Sequence, residues 1–299
     1  MSALEATVTD NADHWSRLLL GRGWCVIPNA VSRQLIGELD SDLSDDFAQT
    51  PFCNGGFYGP RTKRFGRLLI RSPLAKDIVQ HPLILEISRR VLEPWCDTIQ
   101  LNLTQGLALY PGAPPQLPHR DQDMWRGAIG DIEYLVNVMW PFTRYTGSNG
   151  ATLVWPESHG RRALDAEQAQ EGFPVELEPG SALMFLGSTL HGAGGNSSDE
   201  VRRGAIVSYC LGWLKPYENQ WLAYPPQIAR EFSPELAALV GYRQHRPNLG
   251  NYEGQCPSVL LQPDPPERFA ATDSLRPDQE ALLADFLRVQ KWPKRAALA

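Results

Sequence analysis

The sequence lacks the usual features of secreted, membrane-spanning and zinc-cluster proteins. Its five cysteines are odd in number, scattered, and without any Cys-x-x-Cys spacing, which argues against a disulfide framework and against a zinc cluster. No run of about eighteen apolar residues is present that would cross a membrane, and the N-terminus has neither the basic start nor the apolar core of a signal peptide. We therefore expect reduced thiols and a cytoplasmic protein.

The charge distribution also lacks a basic block. Lysine and arginine total 28 against 34 acidic residues, for a formal net charge of −6. Nucleic acids and anionic membrane surfaces are bound through clustered positive charge, so we expect neither as a partner and favour a small-molecule substrate. With 299 residues, 42% of them hydrophobic, and no break in composition, the chain is expected to form a single domain over 1–299 with a β core at about 98–214.

The order of predicted elements indicates a mainly β fold. Short strand-like segments separated by proline and glycine turns, with no helices alternating between them, are typical of an antiparallel sandwich or jelly roll. Segments with helical spacing flank this core on both sides. The predicted strands are 24–27, 98–110, 119–124, 134–140, 151–154, 174–177, 181–186 and 202–213, and the predicted helices are 13–20, 35–47, 73–91, 216–222, 226–240 and 276–290.

The triplet His119-Arg120-Asp121 is the first indication of chemistry. On an extended strand alternate side chains share one face, so His119 and Asp121 would reach the same point. One imidazole and one carboxylate, completed by a distant second histidine, make the facial triad that leaves positions open on ferrous iron. The triplet alone is also compatible with a solvated polar turn after the proline-rich run 111–118.

A second histidine with the right surroundings occurs further along the chain. The apolar run that begins at Ser181 ends on His191, a glycine-rich turn follows, and Arg202 opens a second apolar strand. This pattern predicts a hairpin, which would place His191 and Arg202 at one cavity, with Arg203 on the opposite face. The planar guanidinium of arginine suits a carboxylate ligand.

Together these residues resemble the phytanoyl-CoA dioxygenase-like family of Fe(II)/2-oxoglutarate-dependent oxygenases. The resemblance spans roughly 15–221 and implies a double-stranded β-helix (jelly roll, cupin-like) with flanking α-helices. Two of the motifs are similar to a branch of bacterial and fungal enzymes that tailor secondary metabolites, namely Gly212-Trp213-Leu214-Lys215 and Glu218-Asn219-Gln220. The other matching pieces are Gln116, Asn149-Gly150-Ala151-Thr152 and Pro156-Glu157-Ser158-His159.

The resemblance implies a site and a reaction. His119, Asp121 and His191 would be the metal ligands and catalytic residues, holding Fe(II) with dioxygen as co-substrate, while 2-oxoglutarate would be clamped by Arg202. Gln116 and Thr152 are further cofactor contacts in this reading, although an ordinary turn hydrogen bond explains each of them as well. Hydroxylation is the default outcome, and desaturation, epoxidation and rearrangement share its first steps. The carboxylate ligand excludes the halogenases of the superfamily, which have a small residue there.

Residues near the triad suggest a hydrophobic or aromatic substrate. The aromatic loop at 51–60 is either a plain surface loop or a lid, and core packing explains some of the other candidates equally well. The basic cluster at 61–67 is either a solvated edge or a contact for an acidic ligand. The candidate substrate contacts are Phe57, Tyr58, Gln122, Met124, Trp140 and Tyr209, with Trp125 beside them. His159 is expected to be structural.

Two other functions stay open at this point. A non-catalytic, cupin-like metal-binding protein would keep the histidines but has no use for Arg202, and a zinc hydrolase could use the same three ligands. The C-terminal extension either forms a packed outer layer, closes the barrel mouth or contacts a second subunit, so a homodimer is open as well. The sequence does not identify the substrate.

Overall fold

The computed structural model describes residues 3–127, 130–161, 163 and 171–290. It divides the chain into two compact units, Met1–Pro225 and Pro226–Ala299. The expectation of a single domain over the whole chain stays a prediction.

Two antiparallel sheets form the centre of the first unit. The large sheet contains β1 (Trp24–Ile27), β2 (Thr62–Gly66), β3 (Ile99–Leu109), β4 (Leu135–Pro141), β7 (Ala182–Leu186) and β9 (Arg202–Leu211), in the order β1-β7-β4-β9-β3-β2. The small sheet contains β5 (Thr152–Val154), β6 (Phe173–Pro174) and β8 (His191–Ala193), in the order β6-β5-β8.

Side chains from both sheets meet in one apolar core. Because alternate residues of a strand point to the same face, the inward positions of the large sheet supply Leu107, Met139 and Phe185, and the small sheet supplies Val154. Each such side chain contributes about 1.5–3 kcal/mol when it is fully buried. This arrangement confirms the predicted jelly-roll class with flanking helices.

Helices cover the outer face of the large sheet. Helix α6 (Pro82–Leu92) buries Ile84, Ile87 and Val91. It is separated from α5 (Ala75–Val79) because Pro82, which has no N–H to donate, begins a new helix. The Tyr209 hydroxyl donates to the Val79 carbonyl at 2.7 Å. The helices of this unit among the described residues are α1 (Ala3–Arg22), α2 (Arg33–Asp42), α3 (Ser44–Gln49), α4 (Leu68–Arg71), α5 (Ala75–Val79), α6 (Pro82–Leu92) and α7 (Gln220–Ala223).

The predicted strand at 119–124 is wrong. His119 makes a single β-bridge with His191, and Asp121–Met124 is a short 3₁₀ helix. The backbone N–H groups after the bridge are bonded to nearby turns rather than to a ladder: that of Asp123 donates to the Arg120 carbonyl at 3.1 Å, and that of Gln122 to the Gly187 carbonyl at 3.1 Å. Alternation along a strand therefore does not explain how His119 and Asp121 come together.

The predicted hairpin before and after His191 is also wrong. The apolar run forms β7, which pairs with β1 and β4, whereas β9 pairs with β3 and β4. Strand β4 thus lies between the two segments, and His191 belongs to β8 in the other sheet. Two strands were not predicted: Thr62–Gly66, considered as part of a basic cluster, is the edge strand β2, and His191–Ala193 is β8.

The second unit is helical and irregular. It contains α8 (Pro226–Ala229), α9 (Pro234–Leu239), a 3₁₀ helix at Pro257–Leu261 and α10 (Pro277–Val289). Ser233 caps α9 by accepting from the Leu236 N–H at 3.2 Å, which is a common stabilising contact at a helix start. Within the part of the chain that the structure describes, no helix is long and apolar enough to cross a membrane.

Candidate active site

A cavity of about 400 Å³ lies between the two sheets. Its walls combine polar residues from the small sheet and from the segment after Gln116 with apolar residues from the large sheet. The lining residues include Phe57, Tyr58, Arg64, Leu103, Gln105, Leu107, Gln116, His119, Asp121, Met124, Met139, Thr152, Phe185, His191, Arg202, Ile206 and Tyr217.

The triad residues His119, Asp121 and His191 converge in this cavity. One ligating atom from each lies within 4.8 Å of the others. His119 Nε2 is 3.3 Å from Asp121 Oδ1, and His191 Nε2 is 3.6 Å from Asp121 Oδ2. Two imidazole nitrogens and one carboxylate oxygen in this space fit a transition metal.

The backbone fixes both histidine rings. The N–H groups of His119 and His191 donate to each other's carbonyls at 2.9 and 3.0 Å. Each ring places Nδ1 beside a carbonyl two residues earlier, Leu117 at 2.8 Å and Thr189 at 3.0 Å. These contacts assign the proton to Nδ1 and leave the Nε2 lone pair directed at the metal position, a usual arrangement for metal-binding histidines.

The three ligands differ in their proton affinities. Burial raises the pKa of Asp121, but the neighbouring His191 and His119 and the Asn137 amide outweigh it and lower the value to about 2, so the carboxylate is ionised. Burial lowers the pKa of His191. For His119 burial also lowers the pKa, yet the hydrogen bond and charge of Asp121 raise it above the ordinary 6.5.

Metal affinity should therefore fall as the pH is lowered from 8 to 6. His119 must lose its proton before Nε2 can bind a metal, and one displaced proton weakens apparent affinity about tenfold for each pH unit below that pKa. Titration with Ni(II) at several pH values measures this. An affinity independent of pH over that range would contradict the assignment of His119 as a ligand.

Arg202 lies in the same cavity and is 2% exposed. Its guanidinium stacks on the Tyr145 ring at 4.3 Å, and Nη1 donates to the Gly150 carbonyl. Nε has no hydrogen-bond partner, and no carboxylate among the described residues pairs with this side chain. Burial lowers its pKa. An unpaired buried cation is costly, so the site favours an anionic ligand.

The turn at Asn149-Gly150-Ala151-Thr152 supports Arg202. Gly150 has φ +89°, and a Cβ there would lie 2.8 Å from the Gly194 carbonyl oxygen, so only glycine fits. The Asn149 side chain closes the turn through the Thr146 N–H and the Arg144 carbonyl, both at 2.8 Å. Thr152, the last residue of this motif, lines the cavity.

Gln116 is placed beside the small sheet. Its backbone N–H donates to the Ala193 carbonyl at 2.9 Å, and its Oε1 accepts from the Ala193 N–H at 3.2 Å. The side chain thus bonds to the backbone of β8, far away in the chain, rather than within a turn, and it also lines the cavity. Its role toward a cofactor stays a prediction.

Arg64 is a cavity residue that the sequence did not single out. It lies on β2, donates from Nη1 to Gln105 Oε1 at 3.1 Å and stacks on the Tyr58 ring at 4.6 Å. Its neighbour Lys63 points away and donates to the carbonyls of Phe47 and Ala48. If Thr62–Gly66 had been predicted as a strand, the alternation of side chains would have directed Arg64 to one face and Lys63 to the other.

Three of the predicted substrate residues, Phe57, Tyr58 and Met124, line the cavity. The Phe57 ring lies 4.8 Å from that of His119. The loop at 51–60 therefore contributes walls to the site.

The other three do not line it. Trp140 and Tyr209 occupy outward positions of β4 and β9, where Trp140 faces His81 and Tyr209 reaches Val79. Gln122 is fully buried beside Gly187. Trp125 is likewise directed elsewhere, donating to the Lys215 carbonyl at 3.0 Å.

The motif Glu218-Asn219-Gln220 anchors the segment that carries Tyr217. Glu218 accepts from the N–H groups of Arg67 and Thr104. Gln220 donates to the Asn102 carbonyl at 3.1 Å, and the Tyr217 N–H donates to Asn102 Oδ1 at 2.7 Å. Tyr217 is thereby held at the cavity, where its hydroxyl contacts that of Tyr58.

A jelly roll that carries two histidines and one carboxylate in a cavity is the arrangement found in non-haem iron oxygenases. The sequence profile of phytanoyl-CoA dioxygenase (PhyH) matches residues 21–204. The chain belongs to this family and is a dioxygenase.

Curated relatives agree with this assignment. The chain is 33% identical over 211 residues to the multifunctional dioxygenase ausE of Aspergillus calidoustus, covering 65% of this chain and 71% of the relative. It is 30% identical to the dioxygenase trt7 of Aspergillus terreus over 71% of this chain and 76% of the relative.

The similar structures share the fold at low identity. The non-haem alpha-ketoglutarate-dependent epimerase SnoN from nogalamycin biosynthesis superposes with a TM-score of 0.56 at 16% identity, over 68% of this chain and 84% of the other. HygX from Streptomyces hygroscopicus, solved with nickel and 2-oxoglutarate, gives 0.53 at 14% identity, over 69% and 89%.

Proposed function

We propose that the protein is an Fe(II)- and 2-oxoglutarate-dependent dioxygenase that hydroxylates, or otherwise oxidises, a small hydrophobic molecule, in secondary metabolism. The observation that carries this proposal is that the His/Asp/His triad and a buried, unpaired arginine line one cavity. The alpha-ketoglutarate-dependent epimerase SnoN, a similar structure that was solved in complex with Fe3+ and alpha ketoglutarate, supports it.

The donor set fits ferrous iron. His119 and His191 supply two neutral imidazoles, and Asp121 supplies one ionised carboxylate. This set suits a divalent metal, and three protein ligands leave coordination positions for other ligands. With iron bound, the site would supply oxidising power from dioxygen and the oxoacid. The protein's part is to hold the ligands, orient the cofactor and keep water from the reacting carbon.

The cavity also fits a dicarboxylate. Three arginines line it: Arg120 donates to the Ser158 and Ser188 carbonyls, whereas Arg64 and Arg202 pair with no carboxylate among the described residues. Arg202 is the more deeply buried and is assigned to the distal carboxylate. Arg64 stacks on Tyr58, and the adjacent Phe57 contacts the His119 ring, so Arg64 is assigned to the carboxylate nearer the metal. Charge-assisted contacts to guanidinium are the stronger kind of hydrogen bond.

The rest of the wall suits an apolar substrate. Inward positions of β3, β4, β7 and β9 present aliphatic and aromatic side chains, joined by Phe57 and Met124 from the loops. Cavities of this kind bind small molecules mainly through apolar contact. The inward wall residues are Leu103, Leu107, Met139, Phe185 and Ile206.

Arg64→Ala should raise the 2-oxoglutarate concentration that gives half-maximal rate about tenfold. A hydrogen bond to a charged group contributes about 1.5 kcal/mol when partly exposed, and about 1.4 kcal/mol corresponds to tenfold. Steady-state kinetics in 2-oxoglutarate measures this. Arg61→Ala is the matched control, because Arg61 belongs to the same basic cluster but donates to the Pro111 carbonyl outside the cavity. Equal effects of the two changes would contradict the role of Arg64.

Product analysis tests the proposed function as a whole. Iron-loaded protein incubated with a panel of hydrophobic compounds should convert 2-oxoglutarate to succinate in stoichiometry with an oxidised product. A zinc hydrolase would instead act without 2-oxoglutarate or dioxygen when loaded with zinc. A protein that binds metal and performs neither reaction would support the non-catalytic alternative.

A further inference from the structure

We propose that Asn137 is a positioning residue that makes Asp121 bind the metal through one oxygen only. This inference rests on the proposed function, because it concerns the metal that the triad would hold. Asp121, on a short 3₁₀ helix, contacts Asn137, on the central strand β4.

Asp121 needs a partner to fix its orientation. It belongs to the 3₁₀ helix Asp121–Met124 and not to a strand, so no sheet ladder holds its backbone. Its two carboxylate oxygens face different histidines, at 3.3 and 3.6 Å. Rotation of the carboxylate would present either oxygen, or both, to a metal between those rings.

Asn137 is held rigidly. Its strand β4 lies between β7 and β9, and Asn137 is paired with Phe185 on one side and Ser208 on the other. The side chain is fully buried. Its Nδ2 donates to Asp121 Oδ2 at 2.9 Å.

The Asn137 amide is a buried polar group in apolar surroundings, and its hydrogen bond to Asp121 accounts for its presence there. Its inward neighbours on the strand, Leu135 and Met139, are apolar, and its Oδ1 has no hydrogen-bond partner. A buried amide with one unsatisfied atom is unfavourable compared with an apolar side chain of similar size. Among the described residues, Asp121 is the hydrogen-bond partner of the Asn137 side chain.

The contact selects the metal-binding oxygen. Because Oδ2 accepts from Asn137, Oδ1 is the oxygen left for the metal, and the second carboxylate oxygen is kept from occupying a further coordination position. Partners of this kind orient metal ligands in many proteins, and their loss typically weakens metal binding by about 10-fold to 100-fold. Asn137 would thus preserve the positions at which 2-oxoglutarate binds.

Two substitutions and two controls test the inference. Asn137→Leu removes the donor at similar size, and Asn137→Ala removes it with a smaller side chain that cannot overpack the strand. Ser208→Ala, directly opposite on β9, deletes a buried polar group without touching Asp121. His191→Ala tests the triad itself. Ni(II) affinity, 2-oxoglutarate affinity at saturating Ni(II), and thermal melting of the metal-free protein are measured for each.

We expect both Asn137 variants to bind Ni(II) about 10-fold to 100-fold more weakly than the wild type, and to bind 2-oxoglutarate more weakly even when Ni(II) is saturating. Ser208→Ala should keep both affinities. Wild-type affinities in both Asn137 variants, with Ni(II) binding lost in His191→Ala, would overturn the role of Asn137 and leave the proposed function standing. Unchanged Ni(II) binding in His191→Ala would overturn the metal site, and the inference with it.

Discussion

Asp121→Ala should abolish 2-oxoglutarate-dependent substrate oxidation. The substitution removes the anionic member of the triad, whose pKa of about 2 keeps it ionised at neutral pH, and leaves two neutral imidazoles to hold a divalent metal. Succinate formation by iron-loaded protein measures the loss. Asp131→Ala is the control, because Asp131 is a solvent-exposed carboxylate paired with Arg161, and it should keep wild-type turnover.

His119→Ala and His191→Ala should behave in the same way, losing iron by elemental analysis while the far-ultraviolet circular dichroism stays native. Turnover at the wild-type rate in the Asp121 variant would refute the triad. Unfolding of both histidine variants would instead favour a structural metal site.

Arg202→Ala should weaken 2-oxoglutarate binding by at least about tenfold without changing the iron content. A charge-assisted contact to a buried guanidinium contributes roughly 1.5–3 kcal/mol, and about 1.4 kcal/mol corresponds to one decade of affinity. Arg202→Lys should recover part of the loss, since an ammonium restores the charge without the planar pair of donors. Titration of 2-oxoglutarate into the metal-loaded protein measures both variants.

Arg203→Ala is the matched control for Arg202. Arg203 leaves the sheet on the opposite face, pairs with Asp40 at 2.5 Å and stacks on Phe47. Its removal should lower stability and leave 2-oxoglutarate affinity unchanged. A large loss of affinity in the Arg203 variant, or in neither variant, would contradict the cofactor assignment.

The identities of the triad residues were predictable from the sequence, but their geometry was not. His119 and Asp121 were expected to share the face of a strand, whereas a reciprocal bridge between His119 and His191 and a tight 3₁₀ turn bring the three together. Pairing between segments so distant in the chain depends on tertiary structure, which local residue patterns do not encode.

Periodicity did not reveal which face of a buried strand lines the cavity. Central strands such as β4 and β9 are apolar on both faces, so Trp140 and Tyr209 could not be distinguished in sequence from the inward residues Met139 and Ile206. Arg64 was not assigned to the site by itself, although the basic cluster that contains it was considered as a contact for an acidic ligand. The basic cluster around it hid the alternation of a short edge strand, which would have directed Arg64 inward and Lys63 outward.

The most direct test of the central claim is the anaerobic addition of Fe(II) and 2-oxoglutarate to the metal-free protein, followed by visible spectroscopy. We expect the metal-to-ligand charge-transfer band of ferrous iron chelated by 2-oxoglutarate to appear in the wild type, to require higher 2-oxoglutarate concentrations in Arg202→Ala, and to be absent in His191→Ala. If the wild type bound iron and gave no such band at saturating 2-oxoglutarate, the claim that this cavity is an iron and 2-oxoglutarate site would be contradicted.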